Sequence, residues 1–540
     1  MSARSYLRSS IAKKNPPLPE RRPKAALLSL SDKRGAAELA AALVGDGFVI
    51  YATSGTRAHL AQAGVKSRDV EDITGFPALF EGRVKTLHPK IFGGILADEN
   101  NAAHRREARQ YDIPFLSTVA VNLYPFETTI AKAATTLPEA IEQIDIGGGA
   151  LLRASAKNFS SVTVLSEPSQ YSAFIESLPR GLDLDARRRL AIAAFERTAE
   201  YDATIAHYLS GRGEVLPSEL PGALMLTLPL AQRLRYGENP WSRAAFYLRR
   251  TEHLPDQLWG KSLSYNNLLD LDATLRLLSR APLGADIESR AEEFVRAAIV
   301  KHTVPCGVAQ RSTVGKALRE ALAADPTSAF GGIVAVDGML DIEAAQAASE
   351  FFLEIVAAPD FDVDALALLK KKKNLRIMRY ARTAPADLQH QLGVRSALGG
   401  VLAEEEDSSA PREVWRVVSK VPPTAQQWHD LAFAWDVVRH VKSNGVVIVR
   451  DGVTRGICAG QTNRVSAMQI AGLRAGDRAQ GAACASDGFF PFADGLEEAV
   501  RAGCAAVIAP QGSIRDQEVI AVADRAKIAL VFSTHRYFLH

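Results

Sequence analysis

Cysteine is scarce in this 540-residue chain: Cys306, Cys458, Cys484 and Cys504 are scattered, with no CxxC among them. That spacing excludes a cysteine-rich zinc site and a disulfide framework, and fits reduced thiols in a cytoplasm. No stretch approaches the ~20 apolar residues of a membrane span, and the opening MSARSYLRSSIAKKNPPLPERRPK lacks the apolar region of a secretory signal. Its Arg, Ser and Lys bias is shared with transit peptides, but the prolines between Pro16 and Pro23 read as a disordered basic tail over residues 1–23. Charge of one sign is lacking as well. A net +3 over this length implies no nucleic-acid or membrane partner and leaves only local basic pockets. Neither a Walker loop nor GxGxxG is present, which argues against ATP chemistry and against a Rossmann oxidoreductase.

What is present is alternation of strands and helices. AALLSLSDKRGAAELAAALV reads as strand, polar turn and helix from Gly35, and GFVIYATSGTRAHLAQAG repeats the plan. Such alternation predicts a parallel α/β sheet with its site at the carboxyl ends of the strands, where both turns sit. A third strand, STVAVNLYPF, ends in Asn122, Tyr124 and Pro125, and IDIGGGALLRASAKNF places Asp145 before a helix that carries Lys157. The amphipathic run 186–210 closes this part. The Gly/Pro-punctuated GRGEVLPSELPG then predicts a boundary near 220, giving domains 24–220 and 221–540. In the second part, AAIVKHTVPCGVA with SAFGGIVAVD, and HVKSNGVVIVRDG with ASDGFFPFADG, share a rhythm that suggests two related subdomains.

The motifs each have a structural and a chemical reading. EGRVKTLHPK packs Arg83, Lys85, Thr86 and His88 together, as a solvated charge run or as a basic pocket. The turns Ser31-Asp32-Lys33 and Thr53-Ser54-Gly55-Thr56 offer hydroxyls and amides at helix starts, suited to a phosphate. Asp145 beside three glycines is either a tight turn into a helix or a carboxylate next to an oxyanion site, and Lys157 is either solvated or functional. IVKHTVPCGV ends an apolar strand in Lys301 and His302. They form either a core-satisfied pair or a proton shuttle in which the imidazole accepts a proton beside a charge-stabilising ammonium. Asn444 in VKSNG can hold a carbonyl without titrating. Phe489, Phe490 and Phe492 surround Asp494 as if for a flat heteroaromatic ligand, and Arg536 suits a phosphate.

SDKRG, GRVKTLHP, NLYPF, IDIGG, AKN, LRYGENP, YNN, KHTVPCG, SAFGG, KSNG, AGQTNR, FFPFAD and GSIRD occur in one order from about residue 24 to the end. In that order and spacing the chain resembles the bifunctional purine biosynthesis family, AICAR transformylase joined to IMP cyclohydrolase. The resemblance implies a methylglyoxal-synthase-like parallel-sheet domain followed by a transformylase domain of two cytidine-deaminase-like subdomains. It implies formyl transfer from 10-formyltetrahydrofolate to the 5-amino group of AICAR, then dehydrative closure of formyl-AICAR to IMP, by a cytoplasmic homodimer. No metal is expected, because the deaminase zinc-ligand pattern is absent.

The implied catalytic residues are Lys301, His302, Asn444 and Asp494 for transfer, and Lys85, Tyr124, Asp145 and Lys157 for closure. Substrate binding would fall to Ser31, Lys33, Ser54, Thr56, Arg83, Thr86, Arg235, Tyr236, Asn267, Phe330, Gly331 and Arg536. Arg464, Phe489 and Phe492 would form the folate wall. The sequence departs from the family pattern at Ser54 (usually glycine), Trp241 and Ser242 (usually His-Gln) and Gln511 (usually glycine), which touches phosphate-loop geometry and substrate-adjacent packing. A nucleotide-sensing or scaffold relative would keep the folds and lose the acid-base residues, all of which are present here.

Overall fold

The computed structural model describes residues 24–132, 134–211, 220, 222–248, 254–279, 294–381, 392–405 and 413–540. The basic tail 1–23 and most of the Gly/Pro-rich 211–222 segment lie outside them. The chain divides into two compact units, Met1–Leu228 and Pro229–His540.

The first unit holds five parallel strands: β1 (Ala25–Leu30), β2 (Val49–Ala52), β3 (Arg68–Asp69), β4 (Leu116–Asn122) and β5 (Thr163–Leu165), in the order β3-β2-β1-β4-β5. Neighbouring residues of β1 go to opposite faces, Leu27 into one core and Leu28 into the other, as expected for a strand covered on both sides. Helices Ala36–Gly45 and Ser54–Gln62 start where the turns were expected, at the carboxyl ends of β1 and β2.

The second unit has a hairpin, β6 (Leu230–Arg233) with β7 (Ala245–Tyr247), and the strands β8 (Asp256–Trp259), β9 (Val295–Lys301), β10 (Val304–Arg311), β11 (Ile333–Val336), β12 (Ile355–Ala358) and β13 (Arg376–Arg379). A second hairpin, β14 (Leu392–Ala397) with β15 (Gly400–Glu405), precedes β16 (Trp415–Val417), β17 (Val446–Arg450), β18 (Val453–Cys458), β19 (Ala483–Ser486), β20 (Ala506–Pro510) and β21 (Ala529–Ser533).

Twelve of these strands form one sheet, β16-β21-β20-β19-β17-β18-β10-β9-β11-β12-β13-β8, which reads alike from its middle outwards. Hairpins β9–β10 and β17–β18 meet antiparallel at Ala309↔Val453. Beyond each lie three mutually parallel strands and an antiparallel edge strand. Each hairpin is followed by a helix, Val314–Ala324 or Arg464–Ala475, packed equally closely. A Cβ on Gly307 would lie 2.1 Å from the Ala321 carbonyl oxygen, and one on Gly456 2.1 Å from that of Ala471. No larger residue fits either place. The repeated rhythm of the sequence is thus a repeated topology. Helices Tyr265–Leu278 and Ala425–Val438 share one face of the sheet around Trp435 and Leu271. No helix among the described residues is long and apolar enough to cross a membrane.

Candidate active sites

In the first unit, β1 and β4 end side by side at Leu30↔Asn122. The Asn122 side-chain oxygen accepts the Ser31 and Asp32 amides, and its nitrogen donates to the Asp32 carbonyl at 2.9 Å, fixing the 31–33 turn. The fully buried Thr56 hydroxyl accepts the Leu30 N–H at 2.9 Å and so joins the two turns, while Ser54 stays exposed at its helix start. Thr56 is therefore spent on holding the turns together. Lys33 donates to the carbonyls of Leu30 and Ser31. Burial lowers the pKa of its ammonium, against the pull of Asp32, and the Lys85 charge lowers it further.

Asp145 caps the helix Ile146–Lys157, accepting the Gly148 N–H at 2.7 Å. Burial pushes its carboxyl up, opposed by the Gly148 amide, the Lys85 charge and the Tyr124 amide. Thr86 lies against Gly147, where a Cβ would come within 2.9 Å of its hydroxyl. The Tyr201 hydroxyl accepts the Asp145 N–H at 3.0 Å and donates to the Gln143 carbonyl at 2.7 Å, which sets the bend into the helix. Lys33, Lys85, Thr86, Tyr124 and Asp145 thus converge. The cluster combines two ammonium groups with a carboxylate biased toward its neutral form, a setting for an anionic substrate that must exchange a proton.

Two expected members stay outside this cluster. Lys157 is exposed in the last turn of a twelve-residue helix that starts at Asp145. At ~1.5 Å per residue their backbone positions lie about 18 Å apart along the axis, farther than the two side chains reach, so within one chain they do not meet at one bond. Arg83 is exposed and paired with the exposed Glu142.

In the second unit, His302 and Thr303 form the two-residue turn between β9 and β10, with φ of 56° and 60°. The half-buried Asp270 carboxylate accepts both turn amides, from Thr303 at 2.7 Å and from His302 at 3.3 Å. Lys301 donates to the Phe330 carbonyl at 2.7 Å, and Gly331 lies beside its ammonium. His302 is exposed, and its imidazole makes no hydrogen bond among the described residues. A core-satisfied pair would be buried and bonded, so that reading does not fit. Phe330 stacks obliquely on Phe352 with centroids 5.2 Å apart, both largely exposed.

Asn267, one helical turn before Asp270, is buried in a capping box with Ser264. Arg235 lies over the Tyr236 ring at 5.5 Å, and the Glu238 carbonyl accepts from Asn266 at 3.4 Å, which ties this loop to the same helix start.

The antiparallel pairing of β10 with β18 sets the start of β10 beside the end of β18, so the KSNG loop opens at the same end of the sheet as the His302 turn. Asn444 is held on all sides. Its backbone and side-chain N–H groups donate to the Gln461 carbonyl at 3.0 and 2.8 Å, and its side-chain oxygen accepts from Arg464 at 2.7 Å. Arg464 is buried and also bonds Ser486 at 2.7 Å and the fully buried Asp487. Arg464 was expected in the folate wall; its guanidinium instead faces the protein's own polar groups and positions Asn444. Phe490 is core, Phe489 is half-buried, and the exposed Phe492 has the Arg515 guanidinium 4.6 Å above its ring. Asp494 is exposed at the start of helix Asp494–Ala502, accepting the Gly495 N–H at 2.7 Å. The C-terminal segment crosses here, with Ser443 N–H on the Leu539 carbonyl at 2.9 Å and Arg536 4.6 Å over Phe538.

Asp270, Tyr201 and Phe352 were not singled out from sequence, and Asn122 was noted there only as the end of a strand. Only Asp270 left a signal there, three residues after Asn267 on one helix face. Among the described residues no group of three or more His, Cys, Asp or Glu side chains is arranged to hold a metal ion.

A family model described as AICARFT/IMPCHase bienzyme matches residues 155–474, more than half of the chain, and an MGS-like domain matches residues 35–150. The chain belongs to the AICARFT/IMPCHase bienzyme family. Its relatives include proteins named bifunctional purine biosynthesis protein PurH. The one from Desulfitobacterium hafniense is 45% identical over 95% of this chain and 99% of its own length. The one from Chloroflexus aurantiacus is 47% identical over 95% and 98%, and the one from Myxococcus xanthus 46% identical over 95% and 100%. In this bienzyme the MGS-like match takes in Lys85, Tyr124 and Asp145, and the bienzyme match takes in Lys301, His302 and Asn444.

Proposed function

We propose that the two clusters are the two reaction centres of the bienzyme. The protein performs the last two steps of IMP synthesis, AICAR transformylation and IMP cyclohydrolysis, and its transformylase step uses a folate co-substrate. Residues 24–220 carry closure and residues 221–540 carry transfer. The formyl donor is 10-formyltetrahydrofolate, and the protein works as a cytoplasmic homodimer. The exposure of Phe330 and Phe492, both beside candidate site residues, supports a covered face there.

In transfer, the 5-amino nitrogen of AICAR attacks the formyl carbon and loses a proton to His302, directly or through the substrate carboxamide. The tetrahedral oxyanion that forms is stabilised by Lys301, with Asn444 aligning the formyl oxygen. The bond from carbon to the folate nitrogen then breaks, and that nitrogen takes up a proton. Arg235, Tyr236, Asn267, Phe330, Gly331 and Arg536 hold AICAR, and Phe489, Phe492 and Asp494 hold the folate side.

In closure, the carboxamide nitrogen of formyl-AICAR attacks the formyl carbon and water leaves. The reaction is intramolecular, so alignment supplies much of the rate, with effective molarities on the order of 10⁵ M available. Asp145 exchanges the proton, Lys85 and Tyr124 stabilise the developing oxyanion, and Ser31, Lys33, Ser54 and Thr86 form the surroundings of the phosphate and base.

The observation that carries the transfer reading is an exposed imidazole that makes no hydrogen bond among the described residues, beside an ammonium already anchored to Phe330. The test is IMP formation from AICAR and 10-formyltetrahydrofolate by the purified protein. Formyl-AICAR supplied alone should also yield IMP; absence of both products would overturn the reading.

A further inference from the structure

The two hairpins of the twelve-stranded sheet use one device. Asp270 accepts the amides of His302 and Thr303; Asp430, from the corresponding helix Ala425–Val438, accepts those of Asp451 and Gly452 at 2.9 and 2.8 Å. The turns match residue for residue, since Lys301 pairs with Val304 as Arg450 pairs with Val453. They differ in sequence preference. Two positive φ angles suit Asp-Gly, while His-Thr puts a β-branched residue where side chains are strained. Both amides of the His-Thr turn are held by the one Asp270 carboxylate.

We infer that Asp270 is a positioning residue for formyl transfer: by holding both turn amides it fixes the backbone of His302, and with it the imidazole, where the substrate amine is to be deprotonated. The carboxylate reaches the reaction only through His302, so this inference rests on the transfer reading above. Asp430 is its built-in control, the same hydrogen bonds in the same topology with no candidate acid-base group on the turn. Asn in place of either aspartate keeps the shape but sets an NH₂ against one turn N–H, which loosens the turn without emptying the site.

The experiment compares full-length Asp270→Asn, Asp430→Asn, His302→Ala and the Asp270→Asn/His302→Ala double variant for transformylase kcat and KM, cyclisation of supplied formyl-AICAR, and melting temperature. Misplacement of a catalytic group by about 1 Å can cost on the order of 10²-fold. Asp270→Asn is therefore expected to lower transformylase kcat roughly 10- to 100-fold, with little change in KM for AICAR and with cyclisation retained. Asp430→Asn should shift the melting temperature by a similar amount and keep kcat within about twofold. The double variant should be no slower than His302→Ala, because two residues acting as one unit are not additive.

Asp270→Glu is the second variant if Asp270→Asn does not accumulate folded, and it should fall between parent and Asp270→Asn. Parental turnover in the Asp270 variants alongside a slow His302→Ala would overturn the inference and leave the transfer reading standing. Equal loss in Asp430→Asn, or additive loss in the double variant, would also overturn it. Parental turnover in His302→Ala would remove the transfer reading and this inference with it.

Discussion

The halves of the twelve-stranded sheet have the same strand order and differ at matched positions. One hairpin turns through His302-Thr303 and the other through Asp451-Gly452, with φ of 56°, 60°, 54° and 67°. At the first position of the following helix, one half has Val314 and the other Arg464, behind the caps Thr313 and Asn463. A glycine faces each: a Cβ on Gly338 would strike Val314, and one on Gly488 would strike Arg464. The scaffold is thus duplicated and the chemistry is not. Each half has a polar exception where the other keeps the conformationally favoured or apolar residue, and both exceptions open at the same end of the sheet. Local strain at a site of this kind, on the order of 1–3 kcal/mol per residue, persists only where surroundings over-determine it. Asp270 supplies that here.

The largest effect is expected from Arg464→Val, which installs the first half's residue in the second. Asp487, fully buried, loses its charge partner, and Asn444 loses its anchor. Removing one member of a buried pair costs about 3–5 kcal/mol, so urea unfolding should show a loss of that size, together with loss of transformylase activity. A stable, active Arg464→Val protein would contradict the positioning role.

The first unit offers a contrast in pH dependence. Burial raises the Asp145 carboxyl above its usual 3.8, so ionisation is less favourable folded than unfolded. The stability this group contributes is full below the unfolded value and is lost as pH rises through the folded value. Asp145→Asn, still a good helix cap, should lower cyclisation by about 10²-fold or more. It should nevertheless melt above the parent at neutral pH, with the gap closing toward acid. Calorimetry across pH checks this; a gap that widens toward acid would reverse the assignment.

Much of this was legible in the sequence because the relevant residues are local. The strand–turn–helix units around Ser31 and Ser54, the strand ending at Lys301, and the doubled rhythm of the second part all follow from periodicity and turn composition. Partners brought together by topology were not legible. Asn122 reaches the Ser31 turn across ninety-one residues, Tyr201 reaches Asp145 across fifty-six, and Asp270 reaches Thr303 across thirty-three. Arg464 was misread for the same reason, since nothing adjacent to it announces Asp487. Lys157 was grouped with Asp145 by motif, and the length of the helix between them sets them apart.

The turns themselves give the smallest and sharpest contrast. Gly452→Thr should destabilise by about 1–3 kcal/mol, from backbone strain at positive φ, with its Cβ also 3.1 Å from the Gln310 side chain. Thr303→Gly should stabilise by about 1 kcal/mol, the strain relieved less the added glycine entropy. Equal and small effects at both turns, read from denaturant midpoints, would show that the first turn holds no strain.

Lys301 and His302 are proposed to perform formyl transfer, and ring closure in the first unit does not require them. The direct measurement is His302→Ala assayed twice, for transformylation with AICAR and folate and for cyclisation of supplied formyl-AICAR, with the melting temperature recorded. Transformylation is expected to fall by roughly 10²-fold or more, with cyclisation unchanged and melting close to the parent. A parallel fall in both activities with a lowered melting temperature would contradict it.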